Sequence, residues 1–129
     1  MSQERKKLIK ELDDAFSLYI RVKDKFKCIT CGADNRTHTI QCGHLLSRVS
    51  HSTRWDELNA HAQCQPCNWY HEDHPERYMY EWLRKHGQKE YEKLYVKWNQ
   101  TTKFAESDLR ELIKYYKDKT KKLQESNEI

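Results

Sequence analysis

Between residues 4 and 26 the chain repeats apolar side chains at helical spacing. Leu8, Leu12, Ala15, Phe16, Tyr19 and Ile20 fall on one stripe with charged residues between them, so an amphipathic helix is predicted whose stripe faces a core. From 27 to 74 the period disappears. It returns at Pro75, a residue suited to the first turn of a helix, after which Tyr78, Met79, Trp82 and Leu83 share a face until Gly87 is placed to end it. Tyr91, Leu94, Tyr95 and Trp98 line one side of a second short helix, so 75–98 reads as helices. Leu109, Leu112, Ile113, Tyr116 and Leu123 predict a last helix over 107–125, with Ser107 or Asp108 near its cap. The lysine-rich run at 117–122 and the tail after it read as frayed or solvated. The expectation is a single α+β domain spanning 1–129, mostly helical, with its chemistry in 27–74.

Composition sharpens this. With 129 residues, 36% hydrophobic and 34% charged, the core is expected to be thin and to need another stabiliser. No apolar run is long enough for a membrane span or a secretory signal, so a cytosolic protein is expected. The net charge of +4 is spread over helices that also carry acids; it permits nucleic-acid binding and does not establish it. Five cysteines, an odd number without an export signal, argue against disulfides and for a metal.

The cysteines make that specific. Cys28-Ile-Thr-Cys31 and Cys64-Gln-Pro-Cys67 are two knuckles, each with the two-residue spacer that lets a turn aim both sulfurs at one ion. Four thiolates suit tetrahedral zinc and leave no open position, which is the pattern of a structural site. The interval between the pairs is longer than in the commonest zinc modules, so an extra element is looped out there. Cys42 lies in Thr39-Ile40-Gln41-Cys42-Gly43-His44, which reads as a short strand, and it is most simply a small buried hydrophobe.

The looped-out element runs strand, His44, an irregular basic stretch, Asn59 before the second knuckle, and Asn68 directly after it. That order resembles the HNH, or ββα-metal, nucleases. The string CITCG…QCGHLLSR…TRWDELNAHAQCQPCN, followed by ERYMYEWLRKHG…YEKL, more narrowly resembles the phage NinG (Rap) recombination endonucleases, over residues 27 to 95, and the Cys-x-x-Cys-Asn element is also similar to phage endonuclease VII. The resemblance implies a zinc-stapled ββα-metal core, treble-clef-like, with flanking helices. It implies metal-dependent cleavage of DNA, the expected partner, in branched recombination intermediates such as Holliday junctions or D-loops, inside a phage-infected bacterial cell. By the same resemblance His44 is the general base, Asn59 pins the loop between the strands, and Asn68 binds the catalytic ion with His71 one turn beyond. A symmetric homodimer fits the paired incisions that a junction requires, with the last helix as its interface.

The residue types suit those roles. A neutral histidine can take a proton from water at cellular pH. The Asn68 carbonyl oxygen suits Mg²⁺ or Mn²⁺, and His71 tilts the preference towards Mn²⁺ or a later metal. Many HNH enzymes carry an Asp or His just before the base as first metal ligand, where this chain has Gly43; Gln41, Asp56, His61 and water are the open candidates, and His44 is either base or ligand. Ser47, Arg48 and Arg54, among Ser50, Ser52 and Thr53, suit contacts to phosphate oxygens. Trp55 and Trp69 can stack on unpaired bases, although so small an apolar fraction favours a core place for both. His61 reads equally as ligand or packing residue, His74 as a helix-start or outer-shell group, and His51 and His86 as surface residues; nothing in the sequence decides His38. Two other classes fit: a non-catalytic zinc module that binds nucleic acid, and a zinc-stapled scaffold for a protein partner.

Overall fold

A computed structural model describes residues 1–127. The long amphipathic helix α1 (Gln3–Lys23) begins at Ser2, whose hydroxyl accepts from Arg5 N at 3.0 Å, satisfying one of the free N–H groups of the first turn. It ends three residues before the expected boundary because Lys25 and Phe26 turn left-handed, at φ 57° and 54°, and send the chain into the first cysteine knuckle. Next come β1 (Ile40–His44), the single turn α2 (His51–Arg54), a 3-10 turn (Glu57–Asn59) and β2 (Ala60–Cys64). Four more helices follow, α3 (Gln65–Asp73), α4 (Glu76–His86), α5 (Gln88–Trp98) and α6 (Glu106–Asn127). The architecture is therefore mostly helical α+β with one two-stranded sheet.

Among the described residues three apolar clusters hold it together, one of them the small group of Cys28, Ile40, Ala62 and Cys64 at the knuckles. The α1 stripe of Leu8, Leu12, Phe16 and Ile20 packs against Leu109, Ile113 and Tyr116 of α6 and against Trp55 and Ala60. The last helix thus directs its apolar stripe at α1. Its start also differs from expectation: it begins at Glu106, with the Asp108 carboxylate accepting from Ala105 N at 2.8 Å. The 117–122 run is helical and not frayed, with Thr120 buried and Lys119 Nζ 3.1 Å from Glu57 Oε1; the tail residues 128–129 lie outside the described residues. The third cluster joins Leu45 to Tyr78, Trp82 and Leu94 of α4 and α5, two helices separated at Gly87, whose φ of 89° a side chain disfavours.

The strands pair antiparallel, with Gly43 opposite His61 and His44 opposite Ala60. Alternation puts Cys42 and His44 on the face toward α1, where Phe16 lies 6.0 Å from the His44 ring, and puts Gln41, Gly43, His61 and Gln63 on the other. That second face is covered in turn: Asn68 of α3 reaches Gln41, and Tyr78 and His86 of α4 reach Gly43 and His61. Every residue of β2 is buried as a result. No helix among the described residues is long and apolar enough to cross a membrane.

Candidate functional site

The two knuckles meet at the far end of the hairpin from His44. The sulfurs of Cys28, Cys31, Cys64 and Cys67 all lie within 4.8 Å of one another, with Cys31 and Cys64 the pair at 3.6 Å. A tetrahedral ion with Zn–S bonds of 2.3 Å needs sulfurs about 3.8 Å apart, so the cluster fits a structural metal such as zinc. Burial works against ionisation of Cys28, but the backbone N–H groups of Cys64, Cys31 and Thr30 outweigh it and hold the thiol below its usual range. Cys42 contrasts with these four. It packs beside the α1 cluster, and burial pushes its thiol up to about 12, so it stays protonated and takes no part in the cluster.

The segment between the strands is stitched into one shape, mainly by Asn59. This fully buried side chain accepts from Leu46 N at 2.8 Å and donates to Leu46 O at 3.0 Å and Thr53 O at 3.1 Å. Asp13 of α1 grips the same segment from outside. Its carboxylate accepts from Arg54 Nε at 3.0 Å and Nη2 at 2.6 Å, and from Trp55 Nε1 at 2.9 Å. Burial alone would raise the Asp13 pKa, but the hydrogen bonds from Arg54 and Trp55 outweigh it and hold the carboxyl below its usual range. The loop that results aims the Arg54 carbonyl at His44.

His44 Nε2 lies 2.8 Å from that carbonyl. A carbonyl can only accept, so Nε2 carries the proton and Nδ1 the lone pair, with no partner among the described residues. Burial lowers the His44 pKa, and the Arg54 carbonyl only partly offsets it, so the ring is neutral at pH 7. His44, Asn68, Gln41 and Arg48 line one cleft of about 440 Å³ along the open edge of β1, with Asp13 and Arg21 of α1 as its far wall. Asn68 donates Nδ2–H to Gln41 Oε1 at 2.9 Å, which leaves its carbonyl oxygen uncommitted. His71 follows one turn later but does not line this cleft; its Nε2 donates to Leu45 O at 3.0 Å and its Nδ1 is buried without a partner.

The phosphate-contact residues divide. Arg48 stays more than half exposed beside the cleft, 3.7 Å from Asp13. Arg54 does not remain free: its side chain is 14% exposed and clamped by Asp13. Ser47 is exposed, but its carbonyl accepts from Trp98 Nε1 and its hydroxyl from Val49 N. Ser50 and Ser52 donate to the carbonyls of Trp98 and Lys97, tying the segment to the last turn of α5.

The three side chains proposed as first ligand beside Gly43 are all engaged. Gln41 holds Asn68; Asp56 accepts from Leu58 N and Lys97; His61 is fixed at both ring nitrogens by Asp24 and His86. His86 is accordingly half-buried and not a surface residue. His51 packs 5.2 Å from the Trp55 ring, His74 stacks at 4.3 Å on Tyr70, and His38 bonds to Thr37 on the surface. Trp55 is core, whereas Trp69 is 61% exposed, against the expectation for it. Asp13 and Gln63 are the residues that sequence reasoning passed over. Asp13 had a signal, as an acid three residues before Phe16 at the margin of the apolar stripe.

No curated protein and no solved structure matches the chain. A family model, described as bacteriophage lambda NinG protein, matches residues 2–127; with nearly the whole length covered, the chain belongs to the NinG family.

Proposed function

We propose that the protein is a metal-dependent DNA endonuclease of the HNH, or ββα-metal, kind that acts on branched recombination intermediates such as Holliday junctions. The observation that carries this reading is the neutral His44 ring, its Nε2 proton committed to the Arg54 carbonyl and its Nδ1 left to accept a proton beside Asn68 and Arg48. In that reading water loses a proton to Nδ1 as it attacks phosphorus, and Asp13 and Asn59 keep the ring in place by fixing the loop that bears the carbonyl. Arg48 holds the phosphate backbone through a charge-assisted contact. Asn68 and His71 would hold Mg²⁺ or Mn²⁺, which when bound stabilises charge on the departing 3′ oxygen. The cysteine cluster staples the fold and does not react.

The test is cleavage of a labelled four-way junction beside a linear duplex of the same sequence, with Mg²⁺, Mn²⁺ or EDTA, by the wild type and His44→Ala. Metal-dependent junction cutting that the variant lacks is the expected result. One observation favours a second reading, a zinc module that binds nucleic acid without cutting it: Gly43 offers no side chain beside the base, and the nearby Asp13 is held by Arg54. Tight junction binding by both proteins with no cutting under any metal would establish that alternative.

A further inference from the structure

Gly43 and Gln63 form a matched pair. Gly43 presents no side chain on the face that α3 and α4 cover, and the carboxamide of Gln63, reaching diagonally from β2, fills that space. A Cβ added to Gly43 would collide with Gln63 Oε1 and lie 2.7 Å from its Cδ. Gln63 is fully buried. Its amide nitrogen donates to Thr30 Oγ1, in the first knuckle, at 3.0 Å, while Oε1 is buried with no hydrogen-bond partner. An acceptor stranded in this way costs about 1–3 kcal/mol, and folded proteins rarely leave one empty-handed.

A second orphan lies on α3, which covers the same face of the sheet. The His71 Nδ1 lone pair is also buried without a donor, and the ring packs 4.9 Å from that of Tyr78, whose hydroxyl donates to Gly43 O at 2.7 Å. One turn earlier, Asn68 has its amide N–H on Gln41 and its carbonyl oxygen uncommitted. Gln63 Oε1 and His71 Nδ1 are thus buried acceptors without a donor, and Asn68 Oδ1 is a third open acceptor one turn from His71 on α3. Water could serve two of them with its hydrogens; a cation serves all three.

We infer that Gln63 Oε1 is a ligand of a divalent cation, together with Asn68 Oδ1 and His71 Nδ1, and that residue 43 is glycine because the ligand comes from the neighbouring strand. The inference rests on the nuclease reading for what the ion does and on these acceptors for where it binds. Two hard oxygens and one imidazole suit Mn²⁺ or Mg²⁺. All three donors are uncharged, so the ion keeps its full charge for a phosphate and binds weakly without one. Thr30 ties the Gln63 amide to the knuckle, which makes the cysteine cluster the support of this site.

The experiment is a Mn²⁺ titration of the zinc-loaded full chain, followed by electron paramagnetic resonance, for the wild type, Gln63→Ala, Gln63→Glu and the double exchange Gly43→Asp with Gln63→Ala. One Mn²⁺ is expected beyond the zinc. Gln63→Ala should weaken it by at least about 10–100-fold, the loss that removing a mere outer-shell partner of a metal causes, with zinc content and circular dichroism unchanged. Gln63→Glu keeps the volume and adds charge, so it should bind more tightly, and the double exchange should recover affinity with the carboxylate in the vacated space. Wild-type affinity in Gln63→Ala, weaker binding in Gln63→Glu, or no Mn²⁺ beyond the zinc would each overturn the assignment. Gln63-dependent Mn²⁺ binding in a protein that cuts no DNA keeps this site and ends the nuclease reading. Metal-dependent cutting that Gln63→Ala leaves intact does the reverse.

Discussion

Two histidines occupy neighbouring pairs of the same two strands and are bonded in opposite ways. His61, 1% exposed, places Nδ1 2.8 Å from Asp24 Oδ2 and Nε2 2.7 Å from His86 Nε2. The carboxylate must accept, so His61 donates from Nδ1, while its Nε2 is held against the His86 ring, and both nitrogens are consumed in holding α1, β2 and α4 together. His44 gives one nitrogen to a backbone carbonyl and keeps the other. A histidine is available for proton transfer according to what its second nitrogen meets, and that is decided by elements far away in sequence.

Stripping any metal from the cysteine cluster should do most to erase the difference, because the cysteines close the end of the hairpin that presents both rings. Structural zinc sites contribute about 10–16 kcal/mol of apparent binding energy at neutral pH. Chelation, or Cys64→Ser, is expected to abolish the cooperative thermal transition followed by circular dichroism; an unchanged transition would remove the cluster from its stapling role. The paired substitutions come next. His44→Ala should lower junction cleavage by about 10²–10⁴-fold, the usual contribution of a general base, with little change in melting. His61→Ala should instead lower stability by roughly 1–3 kcal/mol, since it leaves the buried Asp24 carboxylate with only the Ala62 N–H as donor, and should change cleavage by the folded fraction little. Denaturant melts beside cleavage rates separate the two, and a His61→Ala that lost only activity would reverse the assignment.

The parts visible in the sequence were those whose physics is local. Two Cys-x-x-Cys pairs need only a turn each, and the stripes of α1, α4 and α6 follow from helical period. The missing parts depend on which elements return to cover which face. Alanines alternate with His61 and Gln63 along β2, a pattern that ordinarily marks one wet face, yet α3 and α4 bury that face and turn both polar residues into fixed groups. Arg54 read as a phosphate contact because its partner is Asp13, 41 positions earlier in the chain. Trp69 read as core from its type, whereas α3 buries none of its residues fully.

Asp13 tests how far the free nitrogen of His44 depends on that long-range clamp. Asp13→Ala leaves Arg54 without its bidentate partner and the Nε1 of the buried Trp55 without an acceptor, so a loss of about 1–3 kcal/mol is expected. Asp13→Asn keeps an acceptor for one donor and should recover part of it. If the clamp positions the Arg54 carbonyl, the Ala variant should also cut more slowly at saturating DNA while KM holds, and the acid limb of its rate profile should shift. A change in KM alone would mean that Asp13 tunes Arg48 and not the base.

The smallest effect is the dependence of stability on pH, and it again tells the rings apart. Burial, reinforced by His61, depresses His86 from its ordinary 6.5 to about 4. The unfolded chain therefore binds a proton that the folded one refuses between those values, and stability should fall as pH drops from 6.5 toward 4. His44 is depressed too, by burial, so it adds to the same slope and, on the nuclease reading, should keep its ring able to accept a proton below pH 6.5. Asp24 extends the loss further into acid: burial would raise it, but the His61 hydrogen bond outweighs burial and lowers it, so its contribution is complete above the ordinary carboxylate range and disappears as pH falls through the lowered value. Urea melts from pH 7 to 4 should show the slope in the wild type, a shallower one in His86→Leu, and an unchanged acid limb of cleavage in that variant. A limb that moved with His86→Leu would mean that the two rings titrate as one system, and the separation between the structural and the reactive histidine would fail.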